Sequence, residues 1–389
     1  MKHIFMIMSL LASTKLIADQ ITLQVLQDNS DKNAVYSPLS LNEALAMVYA
    51  GATGNTAAEI QKVTGWNTPA KTAYYYSDFN GFLSRLDQSD IMQIKNANSL
   101  WLQESFTLEP SYLATVKLFD AESHTVDYIN HTENARNSIN AWVDQKTQSK
   151  IQNLIAPGAL TPATKLVLCN AVYFKADWAS QFEPESTQDQ AFTTTKGTVQ
   201  AKMMHKTASF QYSEDADMQY LYLPYKGLVT GMIICLPKTK AGLQPWLASL
   251  QPKELATIPT LFSEKYQRIN VSLPKFKIET TQAELVSQMQ KCGIKQLFSP
   301  AAELDGIANG QGLFVSGVIQ KAMVAVDEKG TEAAAATAMM VAGCAMPMGQ
   351  PIDFTVNHPF LFLIVTKAPG SKQSTVLFTG TVQNPTIKQ

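Results

Sequence analysis

Between Glu328 and Pro351 the chain reads EKGTEAAAATAMMVAGCAMPMGQP, and this stretch restricts the fold more than any other. It follows Val315 to Glu328, whose pattern predicts a long strand. Gly330 offers a backbone free to pivot. From Thr331 to Ala338 nearly every side chain is small. Ala342 to Pro351 is rich in Gly, Pro, Ala and Met, which predicts an exposed, irregular loop. Alanine is the best helix former, so one reading is a short helix over Glu332 to Met340. That reading leaves unexplained why the tract follows a strand directly, with no strong polar cap. The other reading is a strand held in reserve. At ~3.3 Å per residue, Gly330 to Cys344 would span about 50 Å. Small residues could enter between two existing strands without steric cost. With a period of two, Thr331, Ala333, Ala335, Thr337, Met339 and Val341 share one face. Glu332 then falls on the other face, in solvent, where its charge costs little.

The 389 residues are 46% hydrophobic and 16% charged, enough apolar material for a large core. A net charge of -1 gives no global attraction for nucleic acid or an acidic membrane. His124, His131, His205 and His358 are scattered, with no HExxH or His/Cys cluster, so no metal and no cofactor are expected. Cys169, Cys235, Cys292 and Cys344 form no CxxC pair, and the first two sit in apolar runs that predict buried free thiols. Lys2 and His3 precede the apolar IFMIMSLLA, which reads as a signal peptide within residues 1–18, cut near Ala12 or Ala18. The competing reading is an apolar start to the first helix. Secretion is therefore the expectation, with a cytoplasmic location as the alternative.

Helical spacing runs through Lys15 to Gln27, the LNEALAMVYAGA segment, Thr56 to Val63, Thr132 to Ile151 and Ala283 to Cys292. Strand patterns appear at Ala97 to Trp101, Phe106 to Leu108, Met218 to Pro224, Met232 to Leu236, Ile269 to Leu273 and Lys275 to Glu279. They recur at Phe360 to Thr366 and Thr375 to Thr381. The unbroken apolar run LVLCNAVYF fits a strand covered on both faces. Strands and helices mix without regular alternation, which predicts an α+β fold. No repeat or Pro/Ser-rich linker divides the chain, so one domain is expected over residues 14–389.

Glu328-Lys329-Gly330-Thr331-Glu332-Ala333-Ala334-Ala335-Ala336-Thr337 resembles the hinge of inhibitory serpins almost residue for residue. Asn170 to Lys175 with Trp178 and Phe182 resembles that family's central strand and breach. FTVNHPFLFLI from Phe354 and VLFTGTVQNP from Val376 resemble its C-terminal signature and last strand. Ser37-Pro38-Leu39-Ser40 and Gly54-Asn55-Thr56 match its early helices. The likeness runs from about Ile17 to Pro385, and motifs in this order are specific where each alone is weak.

The resemblance implies a fold with a large central mixed sheet, two further sheets and a reactive centre loop over about residues 328–353. It implies an inhibitor, not an enzyme. A protease cleaves the loop as substrate and forms an acyl-enzyme. Gly330 to Val341 then inserts as a strand and traps the protease before water releases it; serpin loop insertion is a known example of strand addition. Gly330, Thr331, Ala333, Ala334, Ala335 and Ala336 are the hinge on this view. Trp178, Lys275 and Glu328 form the breach, with Lys275 and Glu328 ion-paired. Ser37, Ser40 and Asn170 form the hydrogen-bonding shutter, where Gln320 stands in place of the family's usual His. Cys344 and Ala345 flank the reactive bond, by counting from Gly330; Met340, Met346 and Met348 are the other candidates. An uncharged residue there suits an elastase-like or chymotrypsin-like protease, and a papain-like cysteine protease is a second class of target.

The region Thr72 to Gln88 has Tyr74, Tyr75, Tyr76, Asp78 and Asp87 with only Arg85 basic, so glycosaminoglycan binding is not expected. A monomer is expected, whose partner is a protease held covalently. No GxSxG, P-loop or GxGxxG motif supports an enzyme. A non-inhibitory serpin, acting as carrier or chaperone, is the rival within the family; bulky, charged or proline-bearing hinges mark such members, and Ala333 to Ala336 do not match them.

Overall fold

The computed structural model describes residues 18–387 apart from 90–91, 263–264, 310–311, 332–349 and 372. Helix α1 (Ala18–Asp28) and strand β1 (Ala34–Tyr36) lead into α2 (Pro38–Gly51). Ser37 starts α2: its backbone is extended and its hydroxyl accepts from Ser40 N at 3.3 Å, with Pro38 in the first turn. Almost every residue of α2 is buried, Glu43 included. Helices α3 (Gly54–Thr64) and α4 (Pro69–Gln88) follow, α3 stopping at Gly65 with φ 63°.

The next elements are β2 (Met92–Gln103), β3 (Thr107–Leu108), α5 (Pro110–Val116), β4 (Glu122–Val126), α6 (Tyr128–Lys146) and β5 (Leu166–Asp177). Helix α6 begins earlier than its apolar spacing predicts, because Asp127 accepts from Asn130 N at 3.0 Å and sets the cap. It also ends sooner: Gln148 and Ser149 adopt φ of 53° and 60°, which no helix tolerates.

Two long ribbon strands that the apolar pattern did not predict come next, β6 (Gln188–Thr194) and β7 (Gly197–Glu214). They are followed by β8 (Met218–Pro224), β9 (Thr230–Pro237), α7 (Leu243–Ser249), α8 (Pro252–Thr257), β10 (Tyr266–Pro274) and β11 (Phe276–Gln282). Pro274 cannot donate to a ladder, and the chain changes sheets there. Helix α9 (Leu285–Cys292), β12 (Ala308–Asn309), β13 (Val315–Val326), β14 (Gly330–Thr331), β15 (Ile352–Thr355), β16 (Phe360–Thr366) and β17 (Thr375–Val382) complete the chain.

Among the described residues the strands form a mixed six-stranded sheet in the order β11-β13-β14-β5-β2-β4, a nine-stranded sheet and a two-stranded one. β5 alternates between two cores, which accounts for its unbroken apolar run. Leu166, Leu168, Val172 and Phe174 face the main core with α2. Val167, Cys169, Ala171 and Tyr173 face a second core beneath α6, where Ile139, Trp142 and Val143 also meet Ile319 and Met323 of β13. Helix α6 packs against β2, and its cluster extends to residues of β5 and β13. Cys169 and Cys235 are buried and free, and burial pushes both thiols up. No helix among the described residues is long and apolar enough to cross a membrane. The signal-peptide expectation lies in the N-terminal segment, outside the described residues.

Candidate functional site

β13 and β5 run parallel and paired from Val315 with Leu166 to Met323 with Tyr173. Above that level they part, and β14 lies between them. Thr331 pairs with Val326 on one side and Ala176 on the other, while Gly330 pairs with Asp177. Thr331, the residue before the alanine-rich tract, thus lies inside the sheet. The strand expected from Val315 to Glu328 ends at Val326, and the chain doubles back through Asp327, Glu328 and Lys329. Asp327 makes that turn: its N donates to Gly330 O at 2.9 Å and its Oδ1 accepts from Lys329 N at 2.9 Å.

Gly330 differs from the expected pivot. Its φ is not positive. A Cβ there would lie 2.1 Å from Ala176 O and 2.7 Å from Asp177 Cα. Glycine is required by close backbone approach, not by rotational freedom. Thr331 is 0% exposed, and its hydroxyl shares a 2.6 Å hydrogen bond with Tyr225 OH. The Tyr225 ring stacks on Trp178 with centroids 4.6 Å apart and planes within 5°.

Trp178 in turn holds the hairpin. Its Nε1 donates to Asp327 O at 3.0 Å and its backbone N to Lys329 O at 2.8 Å, while Phe182 N donates to Glu328 O at 2.8 Å. The Glu328 side chain accepts from Lys275 Nζ at 2.7 Å and from Thr187 Oγ1 at 2.8 Å. Burial alone would raise the Glu328 carboxyl, but these two donors outweigh it and hold the group below its ordinary value. Trp178, Lys275, Glu328, Gly330 and Thr331 are thus one contiguous assembly.

A second assembly lies deeper in the sheet. Gln320, Asn170 and Asn98 stand level on β13, β5 and β2, by strand register. Gln320 Nε2 donates to Asn170 Oδ1 and to Ser37 O, both at 2.9 Å, and Gln320 Oε1 accepts from Ser37 N at 2.8 Å. Asn170 Nδ2 donates to Ser40 Oγ and to Asn98 Oδ1. Asn98 Nδ2 donates to Glu43 Oε2 at 2.7 Å, and Asn96 donates to the same oxygen. Ser40 Oγ completes the loop by donating to Asn96 Oδ1 at 2.5 Å. The structure therefore brings together Ser37, Ser40, Asn170 and Gln320.

Sequence reasoning missed Tyr225, Thr187, Asn96, Asn98 and Glu43. Glu43 carried a readable signal: it is the single charge in the apolar LNEALAMV segment. Asn96 and Asn98 alternate within one strand, which places both on one face. Ala333, Ala334, Ala335, Ala336, Cys344 and Ala345, with Met340, Met346 and Met348, lie outside the described residues.

A family model described as Serpin (serine protease inhibitor) matches residues 13–385. The chain belongs to the serpin family. Human Serpin B3 is 36% identical over 96% of this chain and 98% of its own length. Human leukocyte elastase inhibitor is 34% identical over the same shares. Among solved structures, Serpin48 of the insect Tenebrio molitor superposes with a TM-score of 0.82, 32% identical, covering 95% of this chain and 97% of that one. In this serpin the residue opposite Asn170 on β13 is Gln320. A glutamine amide offers two donors and an acceptor at once, and here all three are used.

Proposed function

We propose that this serpin is a suicide inhibitor of a serine endopeptidase with an elastase-like or chymotrypsin-like pocket. The observation that carries the reading is β14: Gly330 and Thr331 already occupy the slot between β13 and β5. A further strand of small residues from 332 onward needs only to lengthen that slot downward. The inhibitory relatives support the reading, since leukocyte elastase inhibitor is among the chains this one resembles.

The protease hydroxyl attacks the carbonyl carbon of Cys344. The peptide bond to Ala345 breaks, Ala345 leaves with a free amine, and an ester joins Cys344 to the protease. The freed arm then enters between β5 and β13 and carries the protease with it. Trapping succeeds only if insertion outruns hydrolysis of the ester. Trp178, Lys275 and Glu328 hold the entry of the slot, and the Ser37, Ser40, Asn170 and Gln320 cluster holds the two strands together lower down. The partner is a single protease in a covalent complex, with the inhibitor acting as a monomer.

Incubation with a panel of elastase-like, chymotrypsin-like and papain-like proteases, read on a denaturing gel, tests this. A band at the summed mass of protease and inhibitor less the C-terminal fragment, with release of a peptide beginning at Ala345, is the expected result. Clean cleavage without that band supports a carrier or chaperone instead.

A further inference from the structure

Glu43 belongs to no step described above, yet it is the one carboxyl tied into the polar assembly under the sheet. It projects from α2 and is 0% exposed. One oxygen accepts from both Asn96 and Asn98; the other, Oε1, is buried with no hydrogen-bond partner. With no donor on that oxygen to support a negative charge, an ionised Glu43 would be a buried charge held by two amides alone, a cost the neutral acid avoids.

The position of this group matters because α2 bridges two parts of the sheet. Ser37, at the start of α2, is held to Gln320 on β13 by two hydrogen bonds between its own main chain and the Gln320 side-chain amide. Glu43 and Ser40 are held to β2 and β5 through Asn96, Asn98 and Asn170. β2 and β5 pair along their length, from Met92 with Ala176 to Leu102 with Leu166, so they move together. Separating β5 from β13 breaks the Asn170–Gln320 bond and shifts Asn96 and Asn98 across Glu43. On the far side of those asparagines lies a cleft of about 320 Å³, also lined by Asn80 and Asp120. Displacing the asparagine layer opens Glu43 to water.

We propose that Glu43 is a proton-operated latch on sheet opening: neutral, it sits dry under the closed asparagine layer; ionised, it draws water through that layer and frees β2 and β5 to slide. The inference rests on the insertion mechanism proposed above. Burial is the main cause that pushes Glu43 up to about 8, with the amides of Asn96 and Asn98 pulling the other way; Asn80, whose amide donates to Phe119 O, adds a weaker pull. The charged and titratable groups acting on it offer no relief. Asp120, which precedes β4, raises it further, and Tyr75 and Tyr76 of α4 face it as phenols. Lys95 and Lys146, which line the cleft, are paired with Asp87 and Glu122.

The sign follows from linkage. The closed sheet keeps the proton up to about pH 8, while an opened, hydrated Glu43 loses it at the ordinary value of 4.5. Opening therefore releases a proton in that window, and raising the pH favours it by at most about tenfold per pH unit. Above about pH 8 the effect levels off.

A synthetic peptide copying residues 332–341, added to the intact protein, reads opening without any protease. Insertion is followed by the rate of fluorescence change and by mobility on a native gel. The expected result is a rate that climbs as pH rises toward 8 and then flattens, with Glu43→Gln flat throughout. A wild-type rate that is constant or falls with pH, or a Glu43→Gln curve matching wild type, overturns the latch while leaving the inhibitor reading intact. If no peptide enters at any pH and no protease complex forms, the inhibitor reading fails and takes the latch with it. Should Glu43→Gln not fold, isotope-edited infrared spectra of the wild type decide. A buried carboxylic-acid band surviving at neutral pH supports the latch, and a Glu43 already ionised there overturns it.

Discussion

Thr331 shows how one side chain can serve two states. It is buried in the intact sheet, bonded to Tyr225, and it leads directly into the tract that would enter after cleavage. Thr331→Val leaves the Tyr225 hydroxyl unpaired in the core and should cost about 1–3 kcal/mol in urea unfolding. Thr331→Arg forces a charge into the same slot. The protease should still cut that variant, but a denaturing gel should show cleaved product in place of complex; undiminished complex would refute the slot assignment. Gly330→Ala places a methyl against Ala176 O and Asp177 Cα, so the hairpin must shift. A drop of about 1–3 kcal/mol is expected, because the obstacle is backbone and cannot turn away. Glu328→Gln removes the ion pair with Lys275. Lys275 is 38% exposed, so solvent screening limits the loss to about 1 kcal/mol near neutral pH. Because the Glu328 carboxyl is held below its ordinary 4.5, its contribution is present above that pH and fades as pH falls through the lowered value. Acid unfolding of Glu328→Gln should accordingly be shallower than wild type.

At the scale of elements, α6 stands across the path that the tract must take. Ile139, Trp142 and Val143 share one apolar cluster with Ala171 and Tyr173 of β5, with Ile319 and Met323 of β13, and with Ile151, Leu154 and Ile155 of the segment that follows the helix. Behind α6, Lys321 of β13 reaches Gln152 O at 2.8 Å, tying the following segment across the same two strands. A strand entering between β5 and β13 has to disturb this layer. Ile139→Ala should lower stability by about 2–4 kcal/mol through the cavity it leaves. It should also accelerate insertion, so stopped-flow fluorescence after cleavage should show a faster phase than wild type.

How far the elements were legible depended on which faces they bury. The run Leu166 to Phe174 announced itself because both faces of β5 are covered. β6 and β7 escaped notice because little of either face is buried: Phe192 is the one buried residue of β6, and the buried positions of β7 are sparse and irregular, so no apolar alternation is written into them. The N-cap at Asp127 that starts α6 and the turn at Asp327 that ends β13 are both set by a single Asp side chain, a signal too local for periodicity to register.

For the whole molecule, the family likeness was readable because its motifs span nearly the full chain in order. Residue partnerships were less so. Ser37, Asn170 and Gln320 were named together, but Glu43, Asn96 and Asn98 join them only once α2, β2 and β5 are packed. No local pattern records that neighbourhood. The two layers of contact across β5 and β13 imply a native state held closed by a modest set of bonds around a slot that accepts a strand. Cleavage should then convert the molecule to a more stable form, with a melting temperature well above that of the intact chain by calorimetry. Equal melting temperatures would mean that no strain is stored.

Hydrogen–deuterium exchange on the cleaved protein tests the central claim most directly. With the tract seated between β5 and β13, amides of residues 332–341 should exchange orders of magnitude more slowly than those of an unstructured peptide, because each donates into a sheet ladder. If those amides exchange at the rate of free peptide after the loop is cut, the tract has not entered the sheet and the mechanism proposed for this serpin is wrong.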